Sequence, residues 1–195
     1  MQLIEQDLKE WGVKVNTSLY IPYFNEYLNQ YGIVTKNKLV AFFANLLHES
    51  GNLYYKQEIA SGIAYENRAD LGNTQKGDGV KFAGKAFAQI TGRANFRAFT
   101  IWCRANIKDF GIDFEENPLA LLLPKYCVLS AFWFWKVNNL DKYASKGDFI
   151  NVCSIWNTGR IQNIDPKKAH TINGLSDREL KKDIISKWCD KNKII

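Results

Sequence analysis

The sequence predicts a mainly α-helical protein with two helical lobes around a loop-rich insert, and three observations predict it. Apolar residues recur three and four apart in several long stretches, the spacing that places them on one face of a helix. From Gly62 to Lys85 that periodicity stops, and glycine and polar residues take over, leaving room for one short β-hairpin at most. Hydrophobic residues make up 46% of the 195 residues, aromatics 14%, and there are only four prolines, a composition that suits a folded globule. No repeat, low-complexity tract or linker interrupts the chain, so residues 1–195 read as one domain.

The first helix is expected over Gln2 to Trp11, with Leu3, Ile4, Leu8 and Trp11 on one face and Gly12 as its stop. A second begins after Thr17-Ser18, carries Pro22 in its first turn and runs to Tyr31. The third has the clearest pattern: Leu39, Phe42, Phe43, Leu46 and Leu47 follow Lys36, and His48-Glu49-Ser50-Gly51 closes it, with Gly51 suited to a left-handed cap. Glu49 thus sits where a buried helix meets solvent, and partial burial raises the pKa of a carboxyl group. The insert, with Gly72-Asn73-Thr74 and Gly77-Asp78-Gly79, follows directly and has the form of a substrate cleft. Helical patterns return over Ala94 to Ile107, Leu119 to Val137 and Phe149 to Trp156, with Trp133, Trp135 and Trp156 at core positions. Ser176-Asp177-Arg178-Glu179 reads as a capping box opening a last helix that carries Leu180, Ile184, Ile185 and Trp188.

The bulk properties exclude several functions. No stretch approaches the roughly 20 apolar residues needed to span a bilayer; the longest cluster, Ala131 to Trp135, is short and flanked by Lys125 and Lys136. Cys103, Cys127, Cys153 and Cys189 are widely spaced, and the histidines are His48 and His170, so no metal site is expected and the cysteines read as small buried hydrophobes. The net charge of +6 favours a polyanionic partner. The basic residues are dispersed, however, and the Lys181-Lys182 to Lys193 cluster reads as a solvated face, which argues against nucleic acid.

Glycosidases commonly use two carboxyl groups, one protonated and one ionised. Near the expected cleft stand Glu49, Glu58, Glu66, Asp70 and Asp78, with Glu49 the best acid by position and Asp78, between two glycines, read as a turn residue. Glu58 follows nine residues after Glu49, beyond a turn at Gly51-Asn52. Tyr54, Tyr55 and Tyr65 lie where they could stack on sugar faces, and Asn157 could reach a sugar amide.

Several ordered motifs sharpen this reading. His48-Glu49-Ser50-Gly51, Glu58-Ile59-Ala60-Ser61-Gly62, Tyr65-Glu66-Asn67-Arg68-Ala69-Asp70-Leu71-Gly72-Asn73 and Gln89-Ile90-Thr91-Gly92-Arg93-Ala94-Asn95-Phe96 resemble the chitinase-like lysozymes of glycoside hydrolase family 19, especially phage endolysins. Ser130 to Trp135, Gly147-Asp148-Phe149 and Ile172 to Arg178 look like that family's later blocks. The resemblance implies a lysozyme-like helical fold and an inverting hydrolase without cofactor or metal. It implies Glu49 as general acid, Glu58 as the carboxylate that activates water, and Thr91 as a hydroxyl positioning that water. Such carboxyl pairs stand about 6.5–9.5 Å apart. Gln89 and Asn95 match groove-lining positions, and Lys85 is expected among the substrate-binding residues. His48, which titrates near neutrality, is read as a residue beside the acid that orients it or the loop by hydrogen bonding. Glu66 and Arg68 are expected as a supporting ion pair, with Glu66 as the second carboxylate being the alternative.

The chain departs from the family at Gly84-Lys85-Ala86, where relatives read Gly-Arg-Gly, and in a stretch from Arg160 to His170 before the Asn173-Gly174 block. Lysine lacks the planar fork of arginine, and alanine adds a methyl where backbone is tight. The expected activity is cleavage of the β-1,4 bond between N-acetylmuramic acid and N-acetylglucosamine in peptidoglycan, by a monomer that neither inserts in a membrane nor binds nucleic acid. The acidic start, Met1 to Asp7, lacks a basic leader and an apolar run. The protein is therefore expected to be made in the cytoplasm and to reach the wall through a holin-type lesion or by delivery. A chitinase, a lytic transglycosylase, a wall-binding relative without activity and an antibacterial effector are the competing readings.

Overall fold

The computed structural model describes residues 2–161 and 172–195, so His170 and most of the stretch before Asn173-Gly174 lie outside the described residues. The elements are α1 (Glu5–Glu10), α2 (Ile21–Gln30), α3 (Lys36–Glu49), α4 (Asp78–Lys81), α5 (Arg93–Asn106), α6 (Pro124–Val137), α7 (Asp141–Ala144), α8 (Phe149–Thr158) and α9 (Leu175–Lys191), with 3-10 turns at Ile63–Tyr65, Ala69–Leu71 and Pro118–Leu122. No strand forms among the described residues. The expected hairpin shrinks to isolated antiparallel bridges, Gln57 with Lys85 and Lys85 with Ile90. Contacts divide the chain into two units, residues 1–53 with 134–195, and residues 54–133.

The first unit is built on α3. Every residue from Leu39 to Leu47 is buried, because partners cover the helix on all sides and its apolar stripe is widened by Ala41 and Ala44. Helix α9 packs along it, and α7 and α8 add further contacts. Trp11 sits against Phe43 and Trp188, with ring centroids 4.8 and 5.0 Å away. Phe42 meets Trp135 and Trp156 edge-on. Such geometry suits ring quadrupoles, and each pair contributes about 0.5–1.5 kcal/mol beyond its buried area. The Trp188 indole donates to Asp7, 2.9 Å away, pinning α9 to α1.

Core and ion pairs organise the second unit together. Phe99 stacks on Phe114 at 5.1 Å and Phe82 meets Phe96 at 5.1 Å, giving the loop segments an aromatic anchor. Asp78, expected as a turn residue, is instead buried at the start of α4. It accepts from the Thr74 and Gln75 backbone amides and from the Arg93 guanidinium. Arg93 also reaches Glu115, which takes Arg97 as well. This ion network replaces regular secondary structure as the fastening of the insert.

Three boundaries differ from the sequence expectation. Helix α1 starts at Glu5 because the Asn25 side chain pairs with both the N–H and the carbonyl of Leu3 and holds it extended. Pro124 splits the expected Leu119–Val137 helix, since the residue before a proline avoids helical geometry and Leu123 is extended at ψ 138°. Helix α9 begins at Leu175 with Gly174 as its N-cap, so Ser176 falls inside the first turn rather than at the cap and the expected capping box does not form. All four cysteines are buried and free.

Candidate active site

Glu49 is the last residue of α3, and the buried helix behind it fixes where its backbone lies. Its side chain remains 27% exposed. Oε1 accepts a hydrogen bond from Arg178, whose guanidinium is fully buried. The same fork donates to Asn45 Oδ1 at 2.6 Å, one turn earlier on α3, and to the Asn173 carbonyl at 3.2 Å. A planar guanidinium presents five donors in a fixed fork, enough to serve all three acceptors at once. Oε2 of Glu49 has no hydrogen bond among the described residues. One oxygen is therefore oriented while the other keeps its acceptor sites open.

Beside it, His48 Nδ1 lies 2.7 Å from Asp177 Oδ2, and Lys181 approaches the other oxygen of Asp177 at 2.9 Å. Lys181, expected on a solvated face, is thus largely buried itself and pairs with a partly exposed Asp177 carboxylate. Asn157 on α8 accepts from the Asn173 backbone amide at 3.3 Å. A cavity of about 860 Å³ in this unit lies at the opposite end of α3, lined by Thr35, Lys36, Lys38, Asp190 and Ile195. It holds none of the carboxylates expected for catalysis, and α3 separates it from Glu49 by about 20 Å.

In the second unit the segment around Glu58 pairs with that around Gly84: the Glu58 N–H donates to the Gly84 carbonyl at 2.9 Å. This pairing brings the Gly84 N–H to Glu58 Oε2 at 3.0 Å, and the Tyr65 hydroxyl donates to Oε1 at 2.8 Å. That bond holds the Tyr65 phenol above its usual pKa, with burial adding to the effect. Gly84 has no room for a side chain. A Cβ there would lie 2.6 Å from Gln89 Oε1 and 3.2 Å from both Glu58 Oε2 and Thr91 Oγ1. Glu58, Gln89 and Thr91 therefore converge on one glycine. The Thr91 hydroxyl donates to the Gln89 carbonyl at 2.9 Å, and the Gln89 amide to Ala86 at 3.0 Å.

Other expected site residues are placed differently. Glu66 and Arg68 do not pair. Glu66 accepts from the Gly77 and Gly79 amides at 2.6 and 2.8 Å, while Arg68 makes a two-pronged pair with Asp70, two residues along. Local chain geometry wins here, because the 3-10 turn at Ala69–Leu71 presents Asp70 to Arg68. Glu66 thereby fastens the loop through two glycine amides. Lys85, expected to line the groove, is only 3% exposed. Its ammonium donates to the Lys81 and Ala83 carbonyls, 3.0 Å each, and lies over the Phe96 ring. Burial pulls its pKa below the usual lysine value, against the opposing pull of the Glu58 charge. Tyr65, expected to stack on sugar, has its hydroxyl committed to Glu58. Tyr54 and Tyr55 are exposed and meet edge-to-face at 4.9 Å. Asn95 is exposed and bonds the Thr91 carbonyl, back along its own turn. Ala86, where relatives carry glycine, is buried with φ +64°, a left-handed conformation that strains a residue with a Cβ.

Arg178, Asn45 and Gly84 were not among the expected site residues, although each touches a carboxylate or the cation that holds it. Arg178 ends the Ile172 to Arg178 block. Burial of an arginine cannot be read from a lone residue in a charged helix. Among the described residues there is no cluster of three or more His, Cys, Asp or Glu able to hold a metal, and no helix is long and apolar enough to cross a membrane.

No family model matches the chain. A Haemophilus influenzae protein described as containing a glycosyl hydrolase family 19 domain is 34% identical over 90 residues, covering 46% of this chain and 41% of that protein. An endochitinase of Arabidopsis thaliana is 30% identical over 108 residues, covering 55% of this chain and 35% of that protein. The matched regions thus span well under half the length of these curated relatives. Among solved structures, chitinase C from Streptomyces griseus superposes with a TM-score of 0.65 at 16% identity, covering 93% of this chain and 76% of the other. A bacterial family 19 chitinase superposes with a TM-score of 0.66 at 17% identity, covering 93% and 94%.

Proposed function

We propose that this chain, which has the mainly helical fold of the family 19 glycoside hydrolases and is related in sequence to them, is a glycoside hydrolase that cuts peptidoglycan glycan strands. The observation that carries the reading is the treatment of two carboxylates. Glu49 and Glu58 each stay partly open to solvent while dedicated donors fix their orientation.

The roles follow from what each group is bonded to. Glu49 gives its proton from Oε2 to the glycosidic oxygen while Arg178 holds Oε1. Glu58 works ionised. A carboxylate has about four lone-pair sites, and Tyr65 and Gly84 fill one on each oxygen, leaving acceptor capacity for the attacking water. Thr91, 3.2 Å from the Cβ position of Gly84 as is Glu58 Oε2, offers a hydroxyl to the same water. Direct attack by water on the face opposite the leaving group gives inversion. Tyr54 and Tyr55 supply exposed rings, and Gln89 and Asn95 polar edges, for sugar binding.

The net charge of +6 supports an anionic wall as substrate. The lytic role of a phage endolysin, released by a holin-type lesion, and that of a delivered effector share this chemistry. A second reading, chitinase on N-acetylglucosamine polymers, is favoured by the endochitinase and chitinase relatives. The experiment is digestion of Gram-negative peptidoglycan and of chitin by wild type and Glu49→Gln, with mass spectrometry of the soluble products. Muropeptides with reducing N-acetylmuramic ends, absent with the variant, are expected. Release from chitin alone would move the assignment to the second reading, and anhydro-muramic ends would remove the water-activating role of Glu58. Sedimentation with the sacculi and no release would leave a wall-binding protein.

A further inference from the structure

Asp177 and Arg178, consecutive in the first turn of α9, bond consecutive residues at the end of α3: Asp177 takes His48 and Arg178 takes Glu49. The proposed chemistry uses Glu49 and its arginine but gives the His48–Asp177 pair nothing to do. The pair is nevertheless closely built. The Asp177 carboxylate lies 2.7 Å from His48 Nδ1 and 2.9 Å from Lys181 Nζ. Gly174, at φ +64°, forms the surface beneath the ring: a Cβ there would sit 2.0 Å from His48 Cε1 and 2.3 Å from Nε2. The side chain is 20% exposed, so the ring lies at the edge of the core with little freedom to turn.

An ionised carboxylate only accepts hydrogen bonds. Burial raises the pKa of Asp177, but the bonds from Lys181 and His48 outweigh it and hold the carboxyl below its ordinary range. The nitrogen facing it must then be a donor, and in a neutral imidazole the proton can sit on only one nitrogen. We propose that Asp177 is a positioning residue for the acid: it fixes the His48 proton on Nδ1 and, with Gly174 beneath the ring, locks the helix end that carries Glu49. Two bonds from adjacent residues of α9 then triangulate the acid, and a rotation of either helix end breaks both together. His48 Nε2, which lies over Gly174, is then left as the nitrogen without a proton. The inference rests on Glu49 being the acid.

The test begins with the intact protein and nitrogen-15 NMR of its imidazoles, of which the chain has two. Above the histidine titration range, wild-type His48 is expected to show a protonated Nδ1 and a bare Nε2. Asp177→Asn, which can donate as well as accept, should lose that preference. Its kcat should fall about tenfold, the low end of what losing a supporting partner costs a metal-bound histidine, with KM within about twofold. Asp177→Glu should restore the Nδ1 tautomer and most of the rate, and it guards against a misfolded asparagine variant. A wild-type His48 protonated on Nε2 would overturn the proposal, as would a switched tautomer with kcat unchanged. Failure of wild type to hydrolyse any glycan would refute the proposed function instead, while the imidazole spectrum would still decide where the proton sits.

Discussion

Replacing Arg178 by methionine removes a fully buried cation from three acceptors of unequal need. Asn45 is buried, so its Oδ1 cannot turn to water and loses about 1–3 kcal/mol. The Asn173 carbonyl loses about 1 kcal/mol. Glu49 is 27% exposed, so solvent screens it and its share is held to about 1 kcal/mol. The sum, about 3–5 kcal/mol, matches what breaking one side of a buried pair generally costs. At about 2–4 °C per kcal/mol for a chain of this size, Tm should fall by about 6–20 °C. Calorimetry checks it. Glu49→Gln keeps an acceptor for the guanidinium and should lower Tm by only about 2–4 °C while abolishing hydrolysis. The double variant should be less unstable than the sum of the singles by about 1 kcal/mol, because a neutral glutamine no longer misses the cation. A loss below about 1 kcal/mol for Arg178→Met, or strict additivity, would refute this account of how the acid is held.

Gly84→Ala should reduce hydrolysis at least tenfold while the protein still folds, since the new methyl meets Gln89 Oε1, Glu58 Oε2 and Thr91 Oγ1 within 3.2 Å; activity near wild type would show that this convergence is not the site. The Arg97 and Arg93 guanidinium groups hold Glu115 down at about 2, from an ordinary 4.5. A depressed folded pKa adds stability that is complete above about 4.5 and is lost as pH falls toward about 2. Glu115→Gln should therefore flatten the acid limb of a urea-unfolding series across that window. Burial pushes the Cys103, Cys127 and Cys153 thiols up to about 12 and Cys189 to about 11. A thiol reagent at neutral pH should therefore label none of them in the native protein and all four after unfolding.

The helices were legible where burial is one-sided and periodic. Helix α3 came out with both its bounds because Lys36 precedes the apolar stripe and Gly51 follows it. The insert was legible only as an absence of pattern. Its fastening by Asp78, Arg93 and Glu115 depends on residues far apart in sequence, and nothing local marks them as partners. The same limit explains the site. Glu49 and Glu58 were read from motif order, but Arg178 and the Gly84 amide, which hold them, come from distant segments, and Tyr65 was read for its ring rather than its hydroxyl. Glu66 and Arg68 misled because proximity in sequence suggested a pair. The chain instead turns so that Arg68 meets Asp70 and Glu66 meets two glycine amides.

The run from Leu39 to Leu47, buried on every side, bears on how the protein can change over generations. A helix with one exposed face can absorb substitutions there without moving. This helix has no such face over nine residues, and it ends on the proposed acid. Any change of volume along it, such as Phe42→Leu, must be answered by repacking neighbours or by a shift of the rod. A shift of even a few tenths of an ångström is delivered at Glu49. Variation in substrate preference should therefore accumulate in the insert, at positions such as Tyr54, Tyr55 and Asn95, while α3 drifts slowly. A library that randomises those loop positions should yield active variants far more often than one of equal size directed at α3.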